Sequence, residues 1–401
     1  MINKTEVIDL MKNLISIPSP YFKEDRIMDF VSDWFINHNM DASFHEYHEA
    51  KVTGFKGKNI LLELSGGEPG PTICLNGHLD TVKRCGGWTV DPFGGFVDGD
   101  RIYGVGALDM KSGCAAIMLA LKAFTQNYKR FQGKILASFV SVEEGPYGMG
   151  TNALIEEGYL KDVDFSIVTE PSAGFTNRPF PVLCLGARGG FGLEIEFFGT
   201  SSHAALPQNG VSAALDAAKV ICELEKVEYL EDEHLGKGSV CVVAVESDGG
   251  ACSVPDYAKI KLFWHIVRGE SENTIRNEII KAIERAGIEC RYQINFREAP
   301  SEGSKGFMPY TVSEEEPLVK TFVQSVKTVC KEEPAREYFQ SIGDFNYLGS
   351  RLGAPVVIFG AEGDNFHSHD EYATLSSIIK TGEVIYDFLV RILVETVSLK
   401  L

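Results

Sequence analysis

The feature of this sequence that most restricts its fold is the alternation of short apolar runs with segments of helical periodicity. Apolar runs bounded by glycine, proline or charged residues predict β-strands at 59–64, 72–76, 134–142 and 164–169. Before the third of these runs, apolar residues at helical spacing predict a helix over 112–124. Because strands that alternate with helices are typical of βαβ units, the sequence predicts an α/β fold with a mostly parallel sheet covered by helices.

The pattern changes after Pro181, in a chain whose 401 residues exceed what one hydrophobic core usually organises. The next predicted elements are a strand at 189–199, a helix at 211–224, strands at 239–246 and 257–267, a helix at 272–285 and a strand at 290–296. A linker is predicted at 298–309, followed by a helix at 317–329, a strand at 356–360 and a long helix at 374–397. We therefore predict two domains, one formed by 1–186 with 299–401 and the other an inserted α+β domain at 187–298.

The charge of the chain excludes some classes of partner. A formal net charge of −18 argues against nucleic acids and anionic membranes, which both bind positive surfaces. The first residues lack the basic segment and apolar run of a signal peptide, and no stretch approaches the roughly 18 apolar residues of a membrane-spanning helix. The sequence therefore predicts a cytoplasmic protein with neither a nucleic-acid nor a membrane partner.

Acidic and histidine residues follow the predicted strands, at the edge where open α/β sheets place their sites. They are His78 and Asp80 after 72–76, Glu143 and Glu144 after 134–142, Glu170 after 164–169, His367 and His369 after 356–360, and Asp109 in a glycine-rich turn at 104–113. Taken singly, a histidine at a strand end is more often structural, and adjacent glutamates usually mark a solvated surface. The turn is not a dinucleotide fingerprint, because Asp109 stands where the third glycine would be.

Taken together, these residues predict a metal site. Several carboxylates in one crevice repel one another unless protons or cations neutralise them. His78 and His367 add the imidazoles that zinc favours. Two divalent metal ions would use the whole set, with zinc as the default and cobalt or manganese as alternatives at so carboxylate-rich a site.

These motifs resemble a known family of co-catalytic metallopeptidases, which includes aminoacylase, acetylornithine deacetylase, succinyl-diaminopimelate desuccinylase and carboxypeptidase G. The matching stretches, in the family's order, are Gly77-His78-Leu79-Asp80-Thr81-Val82, 104–113, Glu143-Glu144-Gly145, Glu170-Pro171 and 367–371. The resemblance extends over nearly the whole chain. It implies that 1–186 with 299–401 is the catalytic, metal-binding domain and that 187–298 is a lid and dimerisation domain.

The resemblance also implies a role for each residue. Asp109 would bridge the two metal ions, His78 and Glu170 would complete one site, and Glu144 and His367 would complete the other. Glu143 would act as general base on a metal-bridging water, and Asp80 would orient His78. In this family the peptide bond after the bridging aspartate is commonly cis, which makes Asp109-Met110 a candidate for that geometry.

The residues alone leave two of these assignments open. Strand alternation would point Glu143 and Glu144 in different directions, but which of them faces the metals comes from the resemblance. Residue types alone allow either His367 or His369 to be the ligand. The family pattern His-x-x-Asp-Glu favours His367.

In the inserted domain, 199–207 resembles a family stretch whose histidine, here His203, reaches the active site and helps to hold the oxyanion, often from the partner subunit of a dimer. A homodimer is therefore expected. His265 stands where many relatives carry an arginine that binds a substrate carboxylate, so recognition of that carboxylate is open, and Arg268 or Arg188 is a candidate substitute.

The leading hypothesis is a two-metal hydrolase that cleaves the amide bond of N-acyl amino acids or short peptides. In the family, glutamate at the position of Glu170 goes with deacylases and carboxypeptidases, which favours these activities. A dipeptidase or tripeptidase on the same site is the alternative, and a non-catalytic binding protein of the same fold is the third possibility. A serine hydrolase is disfavoured because the sequence lacks a Gly-x-Ser-x-Gly elbow.

Overall fold

The computed structural model describes residues 2–395, and the chain divides into two compact units. One unit contains the residues up to Ala187 together with those from Thr311 onward, and the other is Arg188–Tyr310. The stretch 298–309, predicted as a linker, lies within the second unit. The reason is a backbone pairing, since Gly190 and Phe307 exchange two hydrogen bonds of 2.8 and 2.9 Å.

The helices are connected in the order expected for an α/β chain with an insertion. They are α1 Lys4–Ser16, α2 Asp25–Asn37, α3 Ser112–Asn127, α4 Met149–Glu156, α5 Ser172–Thr176, α6 Ala213–Leu224, α7 Glu272–Ala286, α8 Pro317–Cys330, α9 Asp344–Arg351 and α10 Leu375–Val390. After α10 a wider helical turn continues through Arg391–Glu395. The helix predicted over 374–397 therefore agrees as far as 395, and its last two residues lie outside the described part of the chain.

The strands include several that the sequence patterns did not predict, among them Ala42–Glu49, Val182–Ala187 and Ala335–Phe339. The strands before the second unit are β1 Ala42–Glu49, β2 Phe55–Ser65, β3 Gly67–His78, β4 Phe96–Asp98, β5 Arg101–Tyr103, β6 Phe131–Val140, β7 Phe165–Val168 and β8 Val182–Ala187. The later ones are β9 Gly189–Phe198, β10 Glu231–Asp232, β11 Gly236–Lys237, β12 Ser239–Ser247, β13 Tyr257–Ile266, β14 Arg291–Phe296, β15 Tyr310–Thr311, β16 Ala335–Phe339, β17 Val356–Ile358, β18 Gly363–Asp364 and β19 Tyr372–Thr374.

A nine-stranded sheet organises the first unit, in the order β1-β2-β6-β3-β7-β17-β8-β15 with β16 beside β8. Its central pairs β6–β3, β3–β7 and β7–β17 are parallel, whereas β1–β2, β2–β6 and β17–β8 are antiparallel. The predicted α/β class with a mostly parallel sheet is thus confirmed. Because carboxyl ends of parallel strands share one edge, β3, β6 and β7 deliver their following residues to the same place.

Helices α3 and α10 form much of the core of this unit. Along α3, apolar side chains are buried on almost every face, including Ala115, Met118, Leu119 and Ala120. A helix that is apolar all round belongs in the interior. The strand predicted over 134–142 is two residues too long, since β6 ends at Val140 and Val142 has a left-handed φ of 56° that turns the chain away from the sheet.

The second unit contains an antiparallel sheet in the order β12-β13-β9-β14. Alternate residues of β9 and β13, such as Ile195 and Ile260, are fully buried with residues of α6 and α7, such as Val220 and Ile279. This unit therefore has a hydrophobic core of its own. In neither unit does a helix within residues 2–395 have the length and apolarity needed to cross a membrane.

Gly113 allows α3 to pack closely against the residues that follow β7. A Cβ at this position would lie 2.2 Å from the carbonyl oxygen of Thr169 and 2.5 Å from its Oγ1. Although alanine is the better helix former, this overlap forces the helix or the strand end to move. We expect Gly113→Ala to lower the free energy of unfolding by about 1–3 kcal/mol.

Urea denaturation followed by circular dichroism measures this change. Gly86→Ala is the matched control, because a Cβ at Gly86 meets no atom within 4 Å. Equal stability of the two variants would show that the contact with Thr169 relaxes at no cost.

Candidate metal centre

Asp109 lies between two histidines that come from distant parts of the chain. Its Oδ1 is 3.2 Å from Nε2 of His78, and its Oδ2 is 3.4 Å from Nε2 of His367. The side chain of Asp109 is only 5% exposed, so both of its oxygens face these partners rather than solvent. The peptide bond between Asp109 and Met110 is cis, as predicted.

The remaining carboxylates divide between the two histidines. Oε1 of Glu170 is 3.4 Å from Nε2 of His78, and Oε1 of Glu144 is 2.9 Å from Nε2 of His367. Two groups of three residues could each hold a metal ion, because within each group the potential ligand atoms lie within 4.8 Å of one another. One group is His78, Asp109 and Glu144, and the other is His78, Glu143 and Glu170. The structure therefore brings together every residue that the sequence predicted around the metals.

His369 points elsewhere. Its ring packs against Gly87, where a Cβ would lie 3.4 Å from Cγ of the imidazole. Among the residues that the structure describes, His369 forms no ion pair with a carboxylate, whereas His367 forms two. The geometry thus separates the two candidates that residue type left open.

Asp80 supports the cluster differently from the prediction. The carboxylate of Asp80 does not hydrogen-bond His78, since its Oδ1 is 3.7 Å from Nδ1. Instead, Nδ1–H of His78 donates to the backbone oxygen of Asp80 at 3.0 Å. The carboxylate oxygens accept the backbone N–H groups of Glu143 and Glu144, at 3.0 and 2.9 Å. Asp80 therefore orients His78 through its main chain and holds the Glu143-Glu144 turn through its side chain.

The prediction that strand alternation points Glu143 and Glu144 in different directions is wrong in its reason. Glu143 and Glu144 lie in a turn beyond the end of β6, so no strand pleat separates their directions. Glu144 faces His367, whereas Oε1 of Glu143 accepts the backbone N–H of Asp344 at 3.2 Å. Oε2 of Glu143 lies 3.9 Å from Nε2 of His78, which leaves Glu143 beside the cluster.

Two further acidic residues support the site and were given no role from the sequence. The buried carboxylate of Glu371 accepts the backbone N–H groups of Gly106, Leu108 and Asp109, at 2.9 to 3.0 Å, and so holds the turn that carries Asp109. Asp344 is the first residue of α9, and its backbone N–H donates to the carboxylate of Glu143 as described above. Glu371 stood inside a quoted motif, but no local pattern connects Asp344 with residues 200 positions earlier.

Burial and the crowding of negative charge shift the pKa values of the carboxylates and histidines in this cluster. Burial, reinforced by the Asp109 carboxylate, raises the pKa of Glu144 to about 7 and that of Glu170 to about 8. Burial also raises the pKa of Asp109, but hydrogen bonds from His367 and His78 outweigh it and hold that pKa below the usual range. Hydrogen bonds to Asp109 and Glu144 raise the pKa of His367 to about 11. The cluster thus takes up positive charge readily.

The other predicted site residues belong to the second unit. His203 is exposed, and its Nδ1 accepts the backbone N–H of Ala205 at 3.0 Å. His265 lies on β13 with its ring 4.9 Å from that of Phe263, and burial lowers its pKa. Arg268 is paired with the carboxylate of Asp232 through contacts of 2.6 and 3.1 Å, which competes with its predicted role in substrate binding.

Sequence comparison places this arrangement in a family. The family model described as peptidase family M20/M25/M40 matches residues 74–391. The chain belongs to this peptidase family. It is an M20 metallohydrolase, and its clustered histidines and carboxylates form the candidate metal site.

Individual M20 relatives are similar over almost their whole lengths. The chain is 26% identical over 383 residues to a succinyl-diaminopimelate desuccinylase of Nautilia profundicola, covering 94% of this chain and 97% of the relative. It is 28% identical over 392 residues to one of Wolinella succinogenes, covering 96% and 100%. In fold it is similar to a tripeptidase from Staphylococcus aureus, with a TM-score of 0.79, 19% identity and coverage of 98% and 99%.

Proposed function

We propose that this M20 chain hydrolyses the amide bond of N-acyl amino acids or short peptides at a centre of two divalent metal ions. The observation that carries the proposal is the position of Asp109, whose two oxygens face His78 and His367 separately. A carboxylate with one oxygen beside each of two histidines can bind one cation through each oxygen, and so bridge two cations. Zinc is the proposed metal, with cobalt and manganese as alternatives.

The donor set fits such a pair of ions. His78 and Glu170 would hold one ion, Glu144 and His367 would hold the other, and Asp109 would contribute to both. The Nδ1–H of His78 is engaged by the backbone oxygen of Asp80, so Nε2 is the nitrogen that faces the carboxylates. This is the orientation by which a hydrogen-bonded histidine presents its other nitrogen to a metal. Cations would also offset the burial and the repulsion by Asp109 that together raise the pKa values of Glu144 and Glu170.

Glu143 is the proposed general base. When bound, the ions would acidify a water molecule and polarise the amide carbonyl. The carboxylate of Glu143 lies beside the cluster and is held by the backbone N–H of Asp344, so it can accept a proton from the water and pass it to the leaving nitrogen. Burial raises the pKa of Glu143 well above its usual range in the absence of cations, and bound cations would favour the ionised form that a base requires.

The named relatives support a deacylase as the first candidate. The relatives from Nautilia profundicola and Wolinella succinogenes carry the name succinyl-diaminopimelate desuccinylase, and we propose an N-acyl amino acid as the substrate of this chain. A dipeptidase or tripeptidase would use the same centre and remains the alternative. A non-catalytic binding protein is disfavoured, since His78, Asp109, Glu143, Glu144, Glu170 and His367 are all present. A cytoplasmic location, a homodimer and a role for His203 in holding the oxyanion stay predictions.

An assay of amide hydrolysis tests this proposal. The full chain is stripped with a chelator, reloaded with zinc, cobalt or manganese, and offered a panel of N-acetyl and N-succinyl amino acids, dipeptides and tripeptides. We expect metal-dependent turnover of N-acyl amino acids. Preference for free peptides would favour the alternative, and the absence of turnover with any panel member at full metal loading would contradict the proposal.

The two neighbouring histidines form a matched pair of test positions. We expect His367→Asn to bind one metal ion fewer per chain than the wild type, because its imidazole faces Asp109 and Glu144. His369→Asn should keep both ions, because its ring packs on Gly87. Metal content per chain after dialysis, measured by plasma mass spectrometry, decides between them, and the reverse outcome would exchange the assignments.

A further inference from the structure

Two basic residues, Lys83 and Arg84, lie three and four positions after Asp80. Both side chains are exposed. Within residues 2–395 neither forms an ion pair with a carboxylate, although the chain carries 56 aspartates and glutamates against 38 lysines and arginines. Two neighbouring cations left without a carboxylate on so acidic a chain are available to an anionic ligand.

The loop that carries these residues is held beside the candidate centre at its beginning. The backbone N–H of Tyr21 donates to the oxygen of Thr81 at 3.0 Å, and Nζ of Lys83 lies 5.5 Å from the centre of the Tyr21 ring. Tyr21 in turn packs on Gly145, where a Cβ would lie 3.4 Å from Cβ of Tyr21. Since Gly145 directly follows Glu144, Tyr21 connects Lys83 with the turn that carries Glu144.

The end of the loop is held by residues that follow His367 in the sequence. The carboxylate of Asp370 accepts the backbone N–H of Thr89 at 2.9 Å and its hydroxyl at 2.8 Å. Gly87 contacts the ring of His369. The stretch 82–90 thus begins beside Tyr21, which packs on the Glu144-Gly145 turn, and ends at contacts with His369 and Asp370, two and three residues after His367. Lys83 and Arg84 lie at its start.

We propose that Lys83 and Arg84 bind the distal carboxylate of a dicarboxylic acyl group and thereby determine the acyl preference of the enzyme. This inference rests on the proposed deacylase function. An anionic acyl group approaching a cluster of carboxylates is repelled by those that the metals do not neutralise, and two cations at its edge offset that repulsion. The guanidinium of Arg84 matches a carboxylate in shape, and the ammonium of Lys83 adds a mobile charge.

The test compares the N-succinyl and N-acetyl derivatives of one amino acid. The two ligands share the α-carboxylate, so their difference isolates the carboxylate of the acyl group. Dissociation constants are measured by calorimetry on zinc-loaded protein in a Glu143→Gln background, where binding is read without turnover, and kcat/KM is measured with Glu143 intact. The variants are Lys83→Met, Arg84→Gln and their combination, with Lys83→Arg combined with Arg84→Lys as the charge-conserving form.

We expect the double neutralised variant to lose about tenfold in its preference for the succinyl over the acetyl ligand, in both binding and kcat/KM. The charge-conserving variant should keep most of that preference. Lys161→Met, at an exposed lysine that follows α4, removes one charge elsewhere and should leave the ratio unchanged.

An unchanged ratio in the double variant would overturn the inference, whether both affinities stay the same or both fall equally. Equal loss would instead point to the α-carboxylate as the group bound. These outcomes are distinct from failure of the proposed function, because the binding ratio is measured without hydrolysis. Wild-type protein that binds the succinyl ligand through Lys83 and Arg84 but hydrolyses no member of the panel of N-acyl amino acids and peptides would contradict the proposed function alone.

Discussion

Glu143→Gln is expected to lower kcat by about 10²–10⁴-fold while the protein keeps its full complement of metal. Glutamine has the same shape, and its amide oxygen can still accept the N–H of Asp344, so the turn keeps its hydrogen bond. What the variant loses is the ability to accept a proton from water and return it to the leaving nitrogen. The loss should therefore appear in kcat far more than in KM.

Kinetics of the zinc-loaded variant and metal analysis of the same sample measure the two quantities together. Glu46→Gln, at an exposed position on β1, is the matched control and should behave as the wild type. If Glu143→Gln kept more than a tenth of kcat, another group would be the base. A fall in bound metal would instead identify Glu143 as a ligand, since its carboxylate also lies within reach of His78 and Glu170.

Asp109→Asn is expected to weaken binding of both metal ions by more than about 100-fold, beyond the 10–100-fold cost that is usual for residues outside the ligand set. The amide offers one neutral oxygen where the carboxylate offered two charged ones, one toward each histidine. Hydrolytic activity should fall with the metal content. Stabilisation by metal should fall as well, since a ligand at 100 times its dissociation constant contributes about 2.7 kcal/mol.

Thermal denaturation at increasing zinc concentration measures this effect without requiring a substrate. The wild type should gain stability as zinc is added, whereas Asp109→Asn should gain little over the same range. Asp162→Asn, an exposed aspartate of the same unit, is the control for the loss of one charge. A variant that still bound two ions tightly would show that Asp109 does not bridge them.

The convergence of the site was predictable from the sequence because it follows from strand topology. His78 ends β3, Glu143 and Glu170 come shortly after β6 and β7, and these three strands lie side by side in the sheet. Parallel strands end at a common edge, so residues separated by more than 90 positions meet there. The α/β class, the cluster and the family resemblance all depend on patterns that are local in the chain.

Tertiary structure alone decided how the side chains are held and oriented. The family pattern favoured His367 over His369, but the left-handed φ of 59° at His367 is a conformation that no periodicity predicts. The contacts of its ring with Asp109 and Glu144 appear only in the folded chain. Similarly, the carboxylate of Asp80 binds the Glu143-Glu144 backbone rather than His78. Sequence patterns record where an element begins and which face is apolar, whereas hydrogen bonds between distant segments exist only after the chain has folded.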